Sequence, residues 1–271
     1  MAGNSIFQLV DQRGWRTGFS NLLRKENRDW WGTRRWLVQV IIWTLILNGI
    51  LASLLFAPLE QGGGAPPERK DVLGVTVLFG LAGIALAIGA VIIGQDEVID
   101  EKRSGTAAWI LSKPVSRGAF ILAKLVSNAI TILVILVLLQ GAIAYLLIRG
   151  VTGSALSIGG FLAALGVLYL GVMFYFTLTL MLSAISNNRG AAIGIPLVIL
   201  FSYQFLINVA PWLGQIMPWG LTSSLGSNTT SIALMLALEQ PLASITPILA
   251  TLAWCVLFVV AAMWRFNREE F

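Results

Sequence analysis

The sequence predicts an all-α integral membrane protein, with six transmembrane helices preceded by an amphipathic helix lying in the membrane interface. Three observations carry that fold class. Apolar residues make up 57% of the 271-residue chain and charged residues 11%, against roughly 45–50% and 25% in soluble domains. Uninterrupted apolar windows long enough to cross a bilayer recur along the chain. Lys and Arg gather in the segments that would lie on one side of those windows. At about 20 residues per crossing the length leaves room for six helices and modest loops, so one membrane domain is expected.

The amino-terminal segment, residues 1–35, carries Arg13, Arg16, Arg24, Lys25, Arg28, Arg34 and Arg35 and no apolar h-region. A cleaved secretory signal is therefore not expected, and the first spanning helix serves as its own anchor. Within this segment Trp15, Phe19, Leu22, Leu23 and Trp30 recur at helical spacing while Arg16, Arg24, Lys25 and Arg28 take the other side, the pattern of a helix lying in the membrane interface. An aromatic side chain buries roughly 150–250 Å², so at about 25 cal/mol per Å² the stripe would anchor the segment by several kcal/mol. The alternative is a cytosolic helix packed on its own protein.

The apolar windows place spanning helices at residues 36–56, 72–94, 120–147, 156–184, 191–209 and 242–264, a transmembrane domain over 36–264 followed by a tail at 265–271. Residues 1–35, the loops 95–119 and 186–190 and the tail hold nearly all Lys and Arg, whereas the opposite side has Arg69, Lys70 and Arg149. The positive-inside rule puts both termini in the cytoplasm, in keeping with an even number of crossings. A multi-pass protein of a prokaryotic cell (plasma) membrane is expected. On the outer side, Gly62, Gly63, Gly64, Pro66 and Pro67 make 57–71 an irregular loop. The stretch 210–241, with Pro211, Trp212, Pro218, Trp219 and the single charge Glu239, is expected to dip into the interface with both tryptophans at headgroup depth. Asn228-Thr229-Thr230 matches a glycosylation acceptor, a tripeptide too common to carry weight.

Several function classes fall away. Cys255 is the single cysteine and there is no histidine, which excludes an intrachain disulfide, a His/Cys metal site and a His-based triad. No catalytic, cofactor-binding or metal-binding residues are assigned. The net charge of +5 reads as topology determinants, not as a nucleic-acid surface. Ion-coupled transport calls for an ionisable group inside the membrane. The windows offer only Lys124, near the inner end of the third and expected to snorkel to the surface. Gln140, Gln204 and Asn208 are the main polar groups at mid-membrane, expected as glue between helices. No glycine is followed by lysine, so the chain has no GxxxxGK phosphate loop. Energy for uphill movement must come from another polypeptide. An intramembrane enzyme acting on polyisoprenoids would need Asp or His clusters at the membrane surface, which are not found. A passive channel or membrane scaffold is the third class, and co-purification with a phosphate-loop protein would discriminate against it.

The densest cluster of charge and turn residues follows the second window, at 95–124. Asp96 with Asp100, and Glu97 with Glu101, stand at i,i+4, so a helix extended past the membrane presents four mutually repelling carboxylates that favour solvent or a basic partner. Gly105 breaks that helix and Thr106 is expected as N-cap of a short apolar run ended by Pro114. About six residues long, with Trp109, Ile110 and Leu111, it is too short to be stable alone and too apolar for water. It must dock, either on its own bundle or on something else.

Glu101, Ser104-Gly105-Thr106, Leu111, Pro114-Val115-Ser116-Arg117 and Lys124, just after a second spanning helix, resemble the acidic–GT–L–PVSR–K signature of type-2 ATP-binding-cassette (ABC) exporter permeases. The resemblance extends over the whole chain as architecture: an elbow helix, six spans and both termini inside. It implies that loop 95–119 carries a coupling helix, with Thr106, Ala107, Ala108, Trp109, Ile110 and Leu111 contacting a separate cytosolic ATPase and Trp109 as its anchor. Glu97, Glu101, Gly105, Pro114, Arg117 and Lys124 form the supporting motif. Trp109 departs from the small or aliphatic residues expected there. The resemblance further implies two ATPase subunits, which hold ATP and Mg, and a second permease copy, identical or not. Gly190 and Gly194 form a GxxxG pair expected mainly in packing within the chain.

Overall fold

A computed structural model describes residues 17–57, 70–153, 156–224 and 230–269. Trp15, most of the 57–71 loop, and Asn228 and Thr229 of the glycosylation tripeptide lie outside the described residues.

Helix α1 (Phe19–Trp31) precedes the bundle. The long helices are α2 (Arg35–Phe56), α3 (Lys70–Gly94), α6 (Arg117–Thr152), α7 (Ile158–Ile185) and α13 (Thr246–Asn267). Between α3 and α6 lie the short α4 (Ile99–Arg103) and α5 (Thr106–Leu111). The fifth expected span is broken into α8 (Arg189–Phe201) and α9 (Tyr203–Val209), bent by 57°. The break falls at Ser202, whose φ of −81° and ψ of −2° lie in the bridge region. Five helices are thus long and apolar enough to cross a membrane, and the bent pair makes a sixth.

Local chemistry sets the starts. Ser116, Ser157, Asn188 and Ser231 sit at N-cap positions, their side chains accepting from Ala119, Gly160, Gly190 and Leu234 N–H groups. Helix α7 is the centre, contacted by α13, α3, α8 and α12 (Ile232–Ala237). Its Thr177, Thr179 and Ser183 are buried, and their hydroxyls donate to Met173, Tyr175 and Leu180 carbonyls one turn back. Glycines let α3 approach its neighbours, since a Cβ on Gly89 would lie 2.5 Å from the Trp43 ring. In contrast α2 and α13 turn Leu45, Ile50, Val256 and Val260 outward, each exposed, as lipid-facing helices do.

Polar residues inside the bundle are paired selectively. Gln140 Oε1 accepts from Asn48 Nδ2 at 2.8 Å and from Thr44 Oγ1 at 3.1 Å, joining α2 to α6 where each has a π-helical turn, Thr44–Asn48 and Ile132–Leu138. Gln140 is therefore glue between helices. Gln204 and Asn208 are not: both are exposed and neither side chain has a hydrogen-bond partner among the described residues. The glycine pair also departs from expectation. A Cβ on Gly194 would meet nothing within 4 Å, and one on Gly190 only its own cap Asn188. No close packing within the chain uses them.

The stretch after α9 folds into α10 (Leu213–Ile216), α11 (Trp219–Thr222) and α12. Trp219 is 5% exposed and its indole donates to the Ile199 carbonyl at 3.1 Å, so it is an interior residue and not a headgroup anchor. Trp212 remains exposed.

Candidate functional site: the loop between the second and third spans

Helix α3 stops at Gly94, and the four carboxylates after it do not ride one helix into solvent. Each pair meets cations of the same chain. Lys124 of α6, 3% exposed, places Nζ 3.1 Å from Glu101 Oε1, 3.2 Å from Glu26 Oε1 and 3.4 Å from Glu97 Oε2. Lys25 adds contacts of 2.7 Å to Glu101 and 3.4 Å to Glu26. Burial acts to lower the Lys25 pKa, but the hydrogen bond to Glu101 and the charges of Glu26 and Glu101 outweigh it and raise it. Arg189, at the first turn of α8, pairs with Asp96 at 3.1 Å and with Asp100. Lys124 thus does not snorkel: three carboxylates around it remove the need to reach water.

This cluster gives the acidic–Lys part of the signature a structural meaning, since one buried ion group binds α1, the loop and α6. Around it α6 carries a polar stripe, Lys124, Ser127, Asn128 and Thr131, at i, i+3, i+4 and i+7, all buried. Trp30 donates from Nε1 to Asn128 Oδ1 at 2.9 Å, and Ser127 donates to Asn27 Oδ1 at 2.8 Å. Leu22 and Trp30 are therefore buried against the chain itself, with Phe19 and Leu23 packed partly beside them. Leu22 and Trp30 of the expected interfacial stripe thus face protein. Glu26, Asn27, Ser127 and Asn128 escaped the sequence reading, although the helical spacing of polar residues on α6 was a usable signal.

The rest of the loop is sewn down at both ends. Arg117 Nη1 donates to the carbonyls of Asn267 and Glu269 at 2.8 and 2.7 Å, at and just past the end of α13, where orphan carbonyls need donors. Lys102 Nζ lies 2.7 Å from Glu269 Oε2 and donates to the Ala184 carbonyl at 2.8 Å. Arg103 donates to the Asn187 carbonyl at 2.7 Å.

Helix α5 is held between these ties. Gly105, at φ +72°, occupies the cap position, a left-handed conformation suited to glycine. Thr106 is the first helical residue and not the N-cap, its hydroxyl sharing a 2.8 Å hydrogen bond with Ser104. Ala107 and Ile110 turn inward, at 0% and 6% exposure, with Leu111 partly covered. Ala108 and Trp109 turn outward. Trp109 is 62% exposed, and the Lys113 ammonium lies 3.5 Å from its ring centroid. Pro114 is exposed just after the helix. Half of α5 therefore packs on its own bundle and half faces outward. Among the described residues, no three His, Cys, Asp or Glu side chains are grouped to hold a metal ion.

A bundle of apolar spans with a short helix framed by charges is a multi-pass membrane protein, and residues 20–271 match the family model described as ABC-2 family transporter protein. The chain belongs to that family. Among relatives, it is 25% identical to the probable ABC transporter permease protein NosY of Stutzerimonas stutzeri, over 92% of this chain and 98% of that one. It is 27% identical to the NosY protein of Pseudomonas aeruginosa, over 90% and 92%. An uncharacterized transmembrane protein, YxlG of Bacillus subtilis, is 27% identical over 71% and 79%. The chain is a multi-pass transmembrane subunit of an ABC transporter, of a family that works with an ATP-binding subunit.

Proposed function

We propose that this chain is the permease of an exporter in which two cytosolic ATPases dock on α5 of two permease copies. ATP and Mg held by the ATPases drive the bundles between inward-facing and outward-facing states. The observation that carries the reading is Trp109, a large apolar side chain 62% exposed on a helix whose other face is fixed. An apolar anchor on a rigid mount suits insertion into a groove on a partner. The ties from the loop to α6 through Lys124, to α8 through Arg189 and to the end of α13 through Arg117 offer a physical route from docking to the spans. The functional division is residues 1–35, the bundle 36–264 with loop 95–119, and the tail 265–271.

A second permease copy is supported by the α8–α9 face, where Gln204 and Asn208 are exposed and Gly194 meets open space. Unpaired carboxamides facing lipid are costly, and a second copy would cover them. In membranes small residues favour close helix association.

Purified alone, the chain is expected neither to bind nor to hydrolyse ATP, and ATPase activity should appear only on adding the partner subunit. Micromolar nucleotide binding by the isolated, mass-verified polypeptide overturns the assignment. Orientation is checked separately, with single cysteines in a Cys255→Ser background. In intact cells Gln240→Cys should react with an impermeant thiol reagent and Ser20→Cys should not. The reverse pattern would exclude cytoplasmic termini.

A further inference from the structure

A cleft of about 710 Å³ opens between the start of α2 and the end of α3, away from the outward face of α5. Its lining carries charges of both signs. On the α2 side stand Arg34 and Arg35, both exposed and neither with an acidic partner among the described residues. Asp29 of α1 also lines the cleft, with its carboxylate likewise unpaired among the described residues. One turn further into the spans the lining becomes apolar, with Val38 and Ile92 at 49% and 51% exposure.

We propose that this cleft binds a zwitterionic aminophospholipid. The phosphate lies on the Arg34 and Arg35 guanidiniums, whose planar forks match phosphate oxygens. The primary ammonium donates to the exposed carboxylate of Asp29, supplying the cation that this carboxylate lacks. The acyl chains run along Val38 and Ile92 into the bilayer. Basic pockets between spanning helices recognise anionic headgroups; the Asp29 carboxylate adds a demand for a cation with N–H groups. A phosphatidylglycerol headgroup brings no such cation, and a choline headgroup brings no N–H. The inference rests on α2 and α3 being spans but not on α5 docking an ATPase. Because the test supplies lipid to solubilised protein, it is also indifferent to which end faces the cytoplasm.

Native mass spectrometry of the full chain in detergent, titrated with palmitoyl-oleoyl phosphatidylethanolamine, phosphatidylglycerol or phosphatidylcholine, tests the site. Phosphatidylethanolamine should be retained about tenfold more tightly than phosphatidylcholine, the worth of one charge-assisted hydrogen bond. The Arg34→Gln/Arg35→Gln double variant and, independently, Asp29→Asn should each abolish that preference, while Arg265→Gln, outside the cleft, keeps it. The substituted side chains have no ion-pair partner to lose, so both variants should elute from size exclusion as the parent does. Equal retention of phosphatidylcholine, equal retention of phosphatidylglycerol, or an undiminished preference in the double variant overturns the proposal. Displacement of the lipid by free phosphoethanolamine at equal concentration would instead mark a site for a soluble zwitterion, and overturns it too.

Discussion

Trp109→Asp is expected to release the ATP-binding subunit from the purified complex on size-exclusion chromatography while leaving the permease's own melting temperature unchanged. The two readouts separate because Trp109 is 62% exposed and Ala107 and Ile110, not Trp109, hold α5 to the bundle. Losing a buried tryptophan anchor at an interface costs at least about 2 kcal/mol, roughly thirtyfold in affinity. Trp109→Ala should show that loss alone, and aspartate adds the cost of burying a charge. The contact to Lys113 is exposed and contributes little to folding. Trp212, equally exposed but following α9, serves as the control, since Trp212→Ala should leave assembly intact. A complex that survives Trp109→Asp with unchanged ATP turnover would mean that the partner does not use α5.

Lys124→Met should lower stability by about 3–5 kcal/mol, the cost of removing one partner from a buried ion group. The substitution leaves Glu26, Glu97 and Glu101 facing one another with Lys25 alone to answer them. Thermal unfolding in detergent measures the loss, and limited proteolysis should find α1 detached from α6, because the cluster and the Trp30–Asn128 hydrogen bond hold the same junction. Adding Glu97→Gln and Glu101→Gln to Lys124→Met should recover much of the stability, since neutral carboxamides do not repel. Such coupling is what a multiple-mutant cycle detects among residues in one network. An unchanged melting temperature in Lys124→Met would mean that water, not the ammonium, solvates the carboxylates. The same variant should retain ATPase binding where it remains folded, because α5 presents Trp109 independently of Lys124.

The four carboxylates of the loop illustrate how much of the site was legible. Their spacing left solvent or a basic partner open, and the structure supplies cations of the same chain, Lys124 and Arg189. What they could not announce was which cations. Glu26 lies 98 residues from Lys124 in the chain, and Asp100 lies 89 from Arg189, separations across which no periodicity operates. Lys124 departs from expectation for the same reason: an isolated lysine near a helix end snorkels, but one facing three carboxylates does not. The amino-terminal stripe gives a second case. Amphipathic spacing established that Leu22 and Trp30 share a face, yet lipid and an apolar protein surface satisfy that face equally, and only the position of Asn128 and Ser127 on α6 turned it toward protein.

The sequence by itself determined the all-helical membrane class, the approximate limits of the spans and the place of the short α5 helix between Gly105 and Pro114. These depend on hydropathy, turn residues and spacing, which act over one to six turns of chain. The tertiary structure alone decided that the fifth span bends at Ser202, that Trp219 is interior, that Gln140 is paired while Gln204 and Asn208 are not, and that α5 shows Trp109 outward. Each of these depends on which surface comes to lie opposite, and in an apolar bundle many helix faces are nearly equivalent until polar groups and small residues select their neighbours.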